Sequence, residues 1–218
     1  MKRIFLAVAL VMFVAVGFAQ EAVDAVKMKN DGNGALRSKN YKKALGLYEK
    51  AIANWGDEKP DNAMIYNAGY CAYKTKDFKK AVQYFGQSID NNYKVSTAVL
   101  YKANSMRLSG DVDGFEQTLE KGIADNPNNP KMKDMLATHY LKEGNAIYKK
   151  GAKILQAAAA DVTAGKYKTT DDKYKQAAAN AKVEFKKALP YFEKALKIAP
   201  NDDTAKQLKD ACMQAIKS

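Results

Sequence analysis

Along most of the chain, small and aromatic residues recur at spacings of three and four, the period that places side chains on one face of a helix. Ala44, Tyr48 and Ala51 make one such face inside Asn40–Ile52. The same arrangement returns at Ala81, Phe85 and Ser88 inside Asp77–Ile89, and more weakly at Phe115, Leu119 and Gly122 inside Asp111–Ile123. A fourth copy, Phe185–Leu196, carries Ala188, Phe192 and Ala195. Ahead of the first three copies runs another helical pattern, with Gly32, Gly69 or Ala103 twelve positions before the residue that opens the face. A glycine inside a helix costs about 1 kcal/mol relative to alanine, so its return at a fixed place points to close approach of a neighbouring helix. Pro127 and Pro200 end copies where a helix has to stop.

A helix pair repeated at 34 to 37 residues resembles the tetratricopeptide repeat (TPR) family. The residues that carry the resemblance are Ile65, Gly69, Tyr73, Phe78, Ala81, Phe85 and Ile89 in the second copy. Gly32, Tyr41, Ala44, Tyr48 and Ala51 match in the first, and Ala103, Gly110, Leu119 and Pro127 in the third, where Phe115 takes the usual alanine position. Gly144, Tyr148, Ala188, Phe192, Ala195 and Pro200 match in the fourth. The resemblance implies an all-α fold: a right-handed TPR solenoid of about four helix pairs with a concave binding face. Neighbouring pairs would supply the core that no pair can build alone. Repeats 1–3 then occupy residues 20–130, an extended fourth pair 131–200, and a capping helix 201–218. The cap carries a one-sided stripe through Ala205, Leu208, Ala211, Cys212, Ala215 and Ile216.

The fourth pair breaks the spacing. Gly144 precedes Ala188 by 44 positions instead of twelve, and the excess is itself helical. Tyr140, Gly144, Ile147, Gly151, Ile154 and Ala158 form one seam at spacings of four and three; Tyr174 through Ala195 forms another. The two predict a projecting antiparallel hairpin over about 151–180. Folding it near residue 168 sets Gly151 opposite Phe185 and Gly144 opposite Phe192, large against small. Gly165 and nearby threonines supply the turn, with Thr170 as N-cap ahead of Asp171 and Asp172. Pro190 predicts either a kink near Lys186 or a break into two helices.

Charge and composition narrow the function. The formal charge is +12, and all but three of the 36 basic residues are lysines; the arginines are Arg3, Arg37 and Arg107. Nucleic-acid recognition favours the planar guanidinium, so a lysine-dominated surface argues against a nucleic-acid partner. Lys2 and Arg3, an apolar stretch from Ile4 to Phe18, and small residues at Gly17 and Ala19 predict a cleavable secretory signal over residues 1–19, cut after Ala19. The apolar stretch is short for a membrane span, so no transmembrane anchor is expected after cleavage. The mature chain is expected to be periplasmic or secreted. Two cysteines and one histidine exclude a four-cysteine zinc site or a histidine-rich metal centre. Cys71, Cys212 and His139 sit in amphipathic helical patterns and read as structural residues. No phosphate loop, zinc-protease pair or nucleophile turn is present, so neither an enzyme nor a cofactor is expected.

By the TPR resemblance, the concave face is lined by first helices. Lys29, Asn33 and Arg37 come from the first pair, and Tyr66, Asn67, Tyr70, Tyr73 and Lys74 from the second. Tyr101, Asn104 and Arg107 come from the third, and Asn145 and Tyr148 from the fourth. Lys29, Asn33 and Asn67 match three positions of the clamp with which some TPR proteins grip a C-terminal carboxylate. Its two other cationic positions hold Thr97 and Tyr101, so the clamp is incomplete. Tyrosines give contact area at low entropic cost and amides satisfy a bound backbone. The expected function is a non-catalytic interaction adaptor or scaffold of the cell envelope that holds a peptide or protein partner in this groove. The alternatives are a structural component that self-associates through the hairpin as a homo-oligomer, and an accessory part of a carbohydrate-uptake system.

Overall fold

The computed structural model describes residues 24–56 and 59–217. The signal-sequence expectation over residues 1–19 lies outside them. The described residues form helices joined by turns, without strands, and divide between Pro127 and Asn128 into two compact units.

In the first unit, helix α1 covers residues 24–37. It is followed by α2 (Tyr41–Ala53), α3 (Asn62–Lys74), α4 (Phe78–Asp90), α5 (Val95–Leu108) and α6 (Val112–Asp125). The three pairs turn the same corner. Lys39, Lys76 and Gly110 adopt left-handed backbone angles (φ 58°, 64° and 88°), and each is followed by an N-cap. The caps are Asn40, Asp77 and Asp111, whose side chains accept from the amides of Lys43, Lys80 and Gly114. An oxygen-bearing side chain at this place satisfies an amide that the helix leaves unpaired. The small residues do what their recurrence predicts. A Cβ on Gly32 would stand 2.8 Å from the Tyr48 ring, and one on Gly69 would stand 3.1 Å from the Tyr84 Cβ and 3.2 Å from the Phe85 ring. The missing methyl is the space that the aromatic ring of the next helix fills. Ala44, Tyr48, Ala51, Ala81 and Phe85 are buried in one continuous core with Ala68, Cys71 and Ala72 of α3. Removal of that much apolar surface from water holds the pairs together.

The second unit is built on a helical hairpin. Helix α7 runs Pro130–Thr163, α8 runs Asp172–Ile198, and α9, Asp203–Lys217, closes over α8. Proline takes the first helical position of α7, where no amide is needed, and the Asn129 side chain caps the turn at Lys131 and Met132. The hairpin register matches the size argument: Gly151 faces Phe185 and Gly144 faces Phe192, each with a would-be Cβ 2.8 Å from the ring. One detail differs from the sequence reading. The N-cap is Asp171 and not Thr170, and the Asp171 carboxylate accepts from the Lys168 amide inside the turn. Helix α8 passes unbroken through Pro190, because burial of Ala188, Phe192 and Ala195 on either side outweighs the one backbone bond the proline deletes. Cys212 and the half-buried Leu208, Ala215 and Ile216 seat α9 on this core.

Candidate functional site

In the first unit, the first helices of successive pairs carry most of the residues assigned to the groove, and α3 packs directly against α5. The tyrosines form a connected set. Tyr70 meets Tyr41 edge-on at 5.9 Å and Tyr101 at 5.7 Å, while Tyr73 meets Tyr101 at 5.1 Å. Tyr101 also stacks on the buried Phe85 at 5.2 Å, which anchors the set to the core. Edge-to-face contacts of this kind add to the burial energy and fix ring orientation. The Tyr73 hydroxyl accepts from the Asn104 amide at 2.7 Å, and the Asn104 carbonyl oxygen accepts from Arg107 at 2.7 Å. Lys74 is exposed and lies over the rings of Tyr41 and Tyr70, at 5.5 and 5.8 Å. Helices α3 and α5 contain no aspartate or glutamate, so the cations here face no carboxylate on their own elements.

Several assigned residues serve the fold instead. Tyr66 is only 8% exposed, packed edge-on against Phe85 and Tyr93, with burial and then the neighbouring hydroxyls of Tyr101, Tyr70 and Tyr93 pushing its hydroxyl up to about 12. It is a core residue. The Lys29 ammonium pairs with Asp61 at 2.9 Å and lies 5.5 Å from the Trp55 ring centre. Asn33 accepts from the buried Tyr48 hydroxyl at 2.8 Å. Lys29 and Asn33, two of the three side chains of the carboxylate-clamp pattern, are thus engaged within the first unit. Arg37 remains exposed at the end of α1. Asn145 and Tyr148 belong to the second unit, where Tyr148 packs at 5.3 Å against Phe185.

Two contributors were not among the sequence candidates. Tyr41 opens α2 rather than a first helix, yet it borders Tyr70 and Lys74. Lys94 precedes α5 in a left-handed conformation and lies over Tyr66 at 4.7 Å and Tyr93 at 5.5 Å. For Tyr41 the available signal was its place beside the corner; for Lys94 there was none, since lysine has no preference for that conformation.

His139 is buried beside Tyr140, 5.6 Å between rings. Cys71 and Cys212 are buried thiols in separate cores, each pushed up to about 11 by burial. No group of three or more potential metal-ligating side chains gathers among the described residues, and no described helix is long and apolar enough to cross a membrane.

Comparison with known proteins agrees with this architecture. Residues 31–90 and 183–202 match tetratricopeptide repeat family models. Among solved structures, a TPR repeats protein from Bacteroides fragilis is 27% identical, with a TM-score of 0.53 over 88% of this chain and 98% of that one. A protein from Bacteroides ovatus, proposed to bind other proteins, has a TM-score of 0.52 over the same shares at 14% identity, a likeness of fold alone. No curated protein matches the sequence at a significant level. Each unit therefore contains a segment that matches a TPR repeat model.

Proposed function

We propose that this protein is an exported, non-catalytic adaptor of the cell envelope that binds a peptide segment of a partner protein across α3 and α5. The observation that carries the reading is the half-exposed row Tyr70, Tyr73 and Tyr101, flanked by Lys74, Asn104 and Arg107 with no carboxylate on either helix. Rings held edge-on offer rigid contact area, the amide and hydroxyls meet a peptide backbone, and the cations favour acidic side chains. Export rests on the signal-like segment ahead of Gln20.

Random dodecapeptides displayed on phage and selected on residues 20–218 test the groove. Selected peptides should bind at least tenfold more weakly to Tyr70→Ala, Lys74→Ala and Arg107→Ala, with helicity unchanged. Tyr66 is unsuitable for this test, because its truncation opens the core. Peptides that bind all three variants as well as the parent would place recognition elsewhere. Protein that stays in the cytoplasm with residues 1–19 attached would reject the export assignment.

A further inference from the structure

The second unit is far more basic than the first: residues 128–218 hold 18 lysines against 10 aspartates and glutamates. At the waist of the hairpin these charges surround a recess. Lys150, Lys153 and Ile154 of α7 border one side and Asn180, Val183 and Lys187 of α8 the other of a shallow, open depression of about 640 Å³. The one carboxylate in the recess, Glu184, is already neutralised by Lys187 at 2.6 Å. Among the described residues, Lys150 and Lys153 have no ion-pair partner. Val183 is 49% exposed and adds apolar surface between these lysines. Apolar floor and cationic rim thus coincide within one depression.

We infer that this recess is a second binding site, for an acidic peptide segment of another protein that inserts an apolar side chain between Ile154 and Val183. A second copy of this chain is the wrong occupant, because two surfaces of the same positive sign repel. A flat anionic bilayer fits poorly as well. Lys182 and Lys186 lie one step, about 100°, round α8 from Val183 and Lys187, so the lysines do not gather on one plane. An acidic segment answers both features: its carboxylates meet Lys150 and Lys153, and its apolar side chain covers Val183. This site is independent of the groove on α3 and α5.

The test uses residues 20–218 and fluorescein-labelled peptides of sixteen residues, one with three glutamates and a leucine in each four, the other with serine replacing leucine. The leucine peptide should bind at least fivefold more tightly. The charge reversal Lys150→Glu with Lys153→Glu should weaken it at least tenfold. The same charge change at the hairpin tip, Lys166→Glu with Lys168→Glu, should cost no more than twofold. Val183→Ser, at an exposed position, should abolish the preference for leucine. Equal losses from both charge reversals, or no preference for leucine, would reduce the binding to diffuse attraction and overturn the inference. Binding to phosphatidylglycerol vesicles that survives Val183→Ser, or a dimer in light scattering that Val183→Ser dissolves, would overturn it in favour of a lipid surface or a second copy.

Discussion

Replacing Gly151 by alanine sets two effects of known sign against each other. On helix propensity alone the change should stabilise by about 1 kcal/mol. The added methyl, however, would stand 2.8 Å from Phe185 Cε1, 3.0 Å from its Cζ and 3.1 Å from the backbone oxygen of Ala181. Carbon atoms in contact sit about 3.5–4.0 Å apart, so the ring has to withdraw by roughly 0.7 Å or more. The ring is 2% exposed, and the Ala181 oxygen is fixed in the α8 ladder, so neither neighbour yields freely. Overpacking of this kind costs about 1–3 kcal/mol, here toward the upper half because backbone is involved. The net expectation is a loss of about 1–2 kcal/mol, or roughly 2–8 °C in Tm for a chain of this size. Gly46, also helical but with nothing within 4 Å of a built Cβ, is the control: Gly46→Ala should gain up to about 1 kcal/mol. Urea denaturation followed by far-UV circular dichroism measures both, with Trp55, the only tryptophan, reporting the first unit by fluorescence. Phe185→Leu should recover part of the loss in the Gly151→Ala background, giving a coupling of about 1 kcal/mol in a double-mutant cycle. If Gly151→Ala stabilises as much as Gly46→Ala, the close packing of α7 on α8 is wrong.

Three further outcomes follow from buried groups. Burial chiefly, aided by the Glu49 carboxylate at Tyr84, pushes the hydroxyls of Tyr48, Tyr66 and Tyr84 up to about 12. Their neutral form is favoured by the fold, so the stability they lend is constant below the ordinary value of 10.0 and is lost as pH rises from there toward about 12. Absorbance titration should show these three of the 13 tyrosines ionising only as the chain unfolds. Asp61 titrates in the opposite sense: partial burial works to raise it, but the Lys29 bond and the amides of Met64 and Ala63 hold it below the usual carboxylate value of 3.8. Its contribution is therefore full above that value and lost as pH falls below it. Asp61→Ala should cost about 1 kcal/mol at pH 7 and progressively less in acid, by denaturation at several pH values. Cys71 and Cys212 should both resist a thiol reagent in the native protein and both react in denaturant without reductant; one reactive thiol in the folded chain would contradict the burial found here.

The repeat, the helix pairs and the register of the hairpin were legible in the sequence because each rests on periodicity and size. Spacings of three and four fix which side chains share a face, and a glycine at a fixed distance from an aromatic ring announces a large-against-small contact, as at Gly32 with Tyr48 and Gly151 with Phe185. Periodicity describes one helix at a time. It does not say what a neighbouring helix presents, so Tyr66 and Tyr70, four apart on α3 and alike in chemistry, could not be told apart until Phe85 of α4 and Tyr93 of the turn after it were seen to cover the first. The same limit hid the fates of Lys29 and Asn33, whose partners Asp61 and Tyr48 lie 32 and 15 residues away. Local backbone geometry was opaque for another reason: Lys39, Lys76 and Lys94 adopt left-handed angles for which lysine has no intrinsic preference, held there by the helices on either side. Sequence alone determined which surfaces are helical and which faces are apolar. Only the packing of one helix on the next decided which of those polar and aromatic side chains remain available to bind anything, because availability is a property of the neighbour and not of the residue.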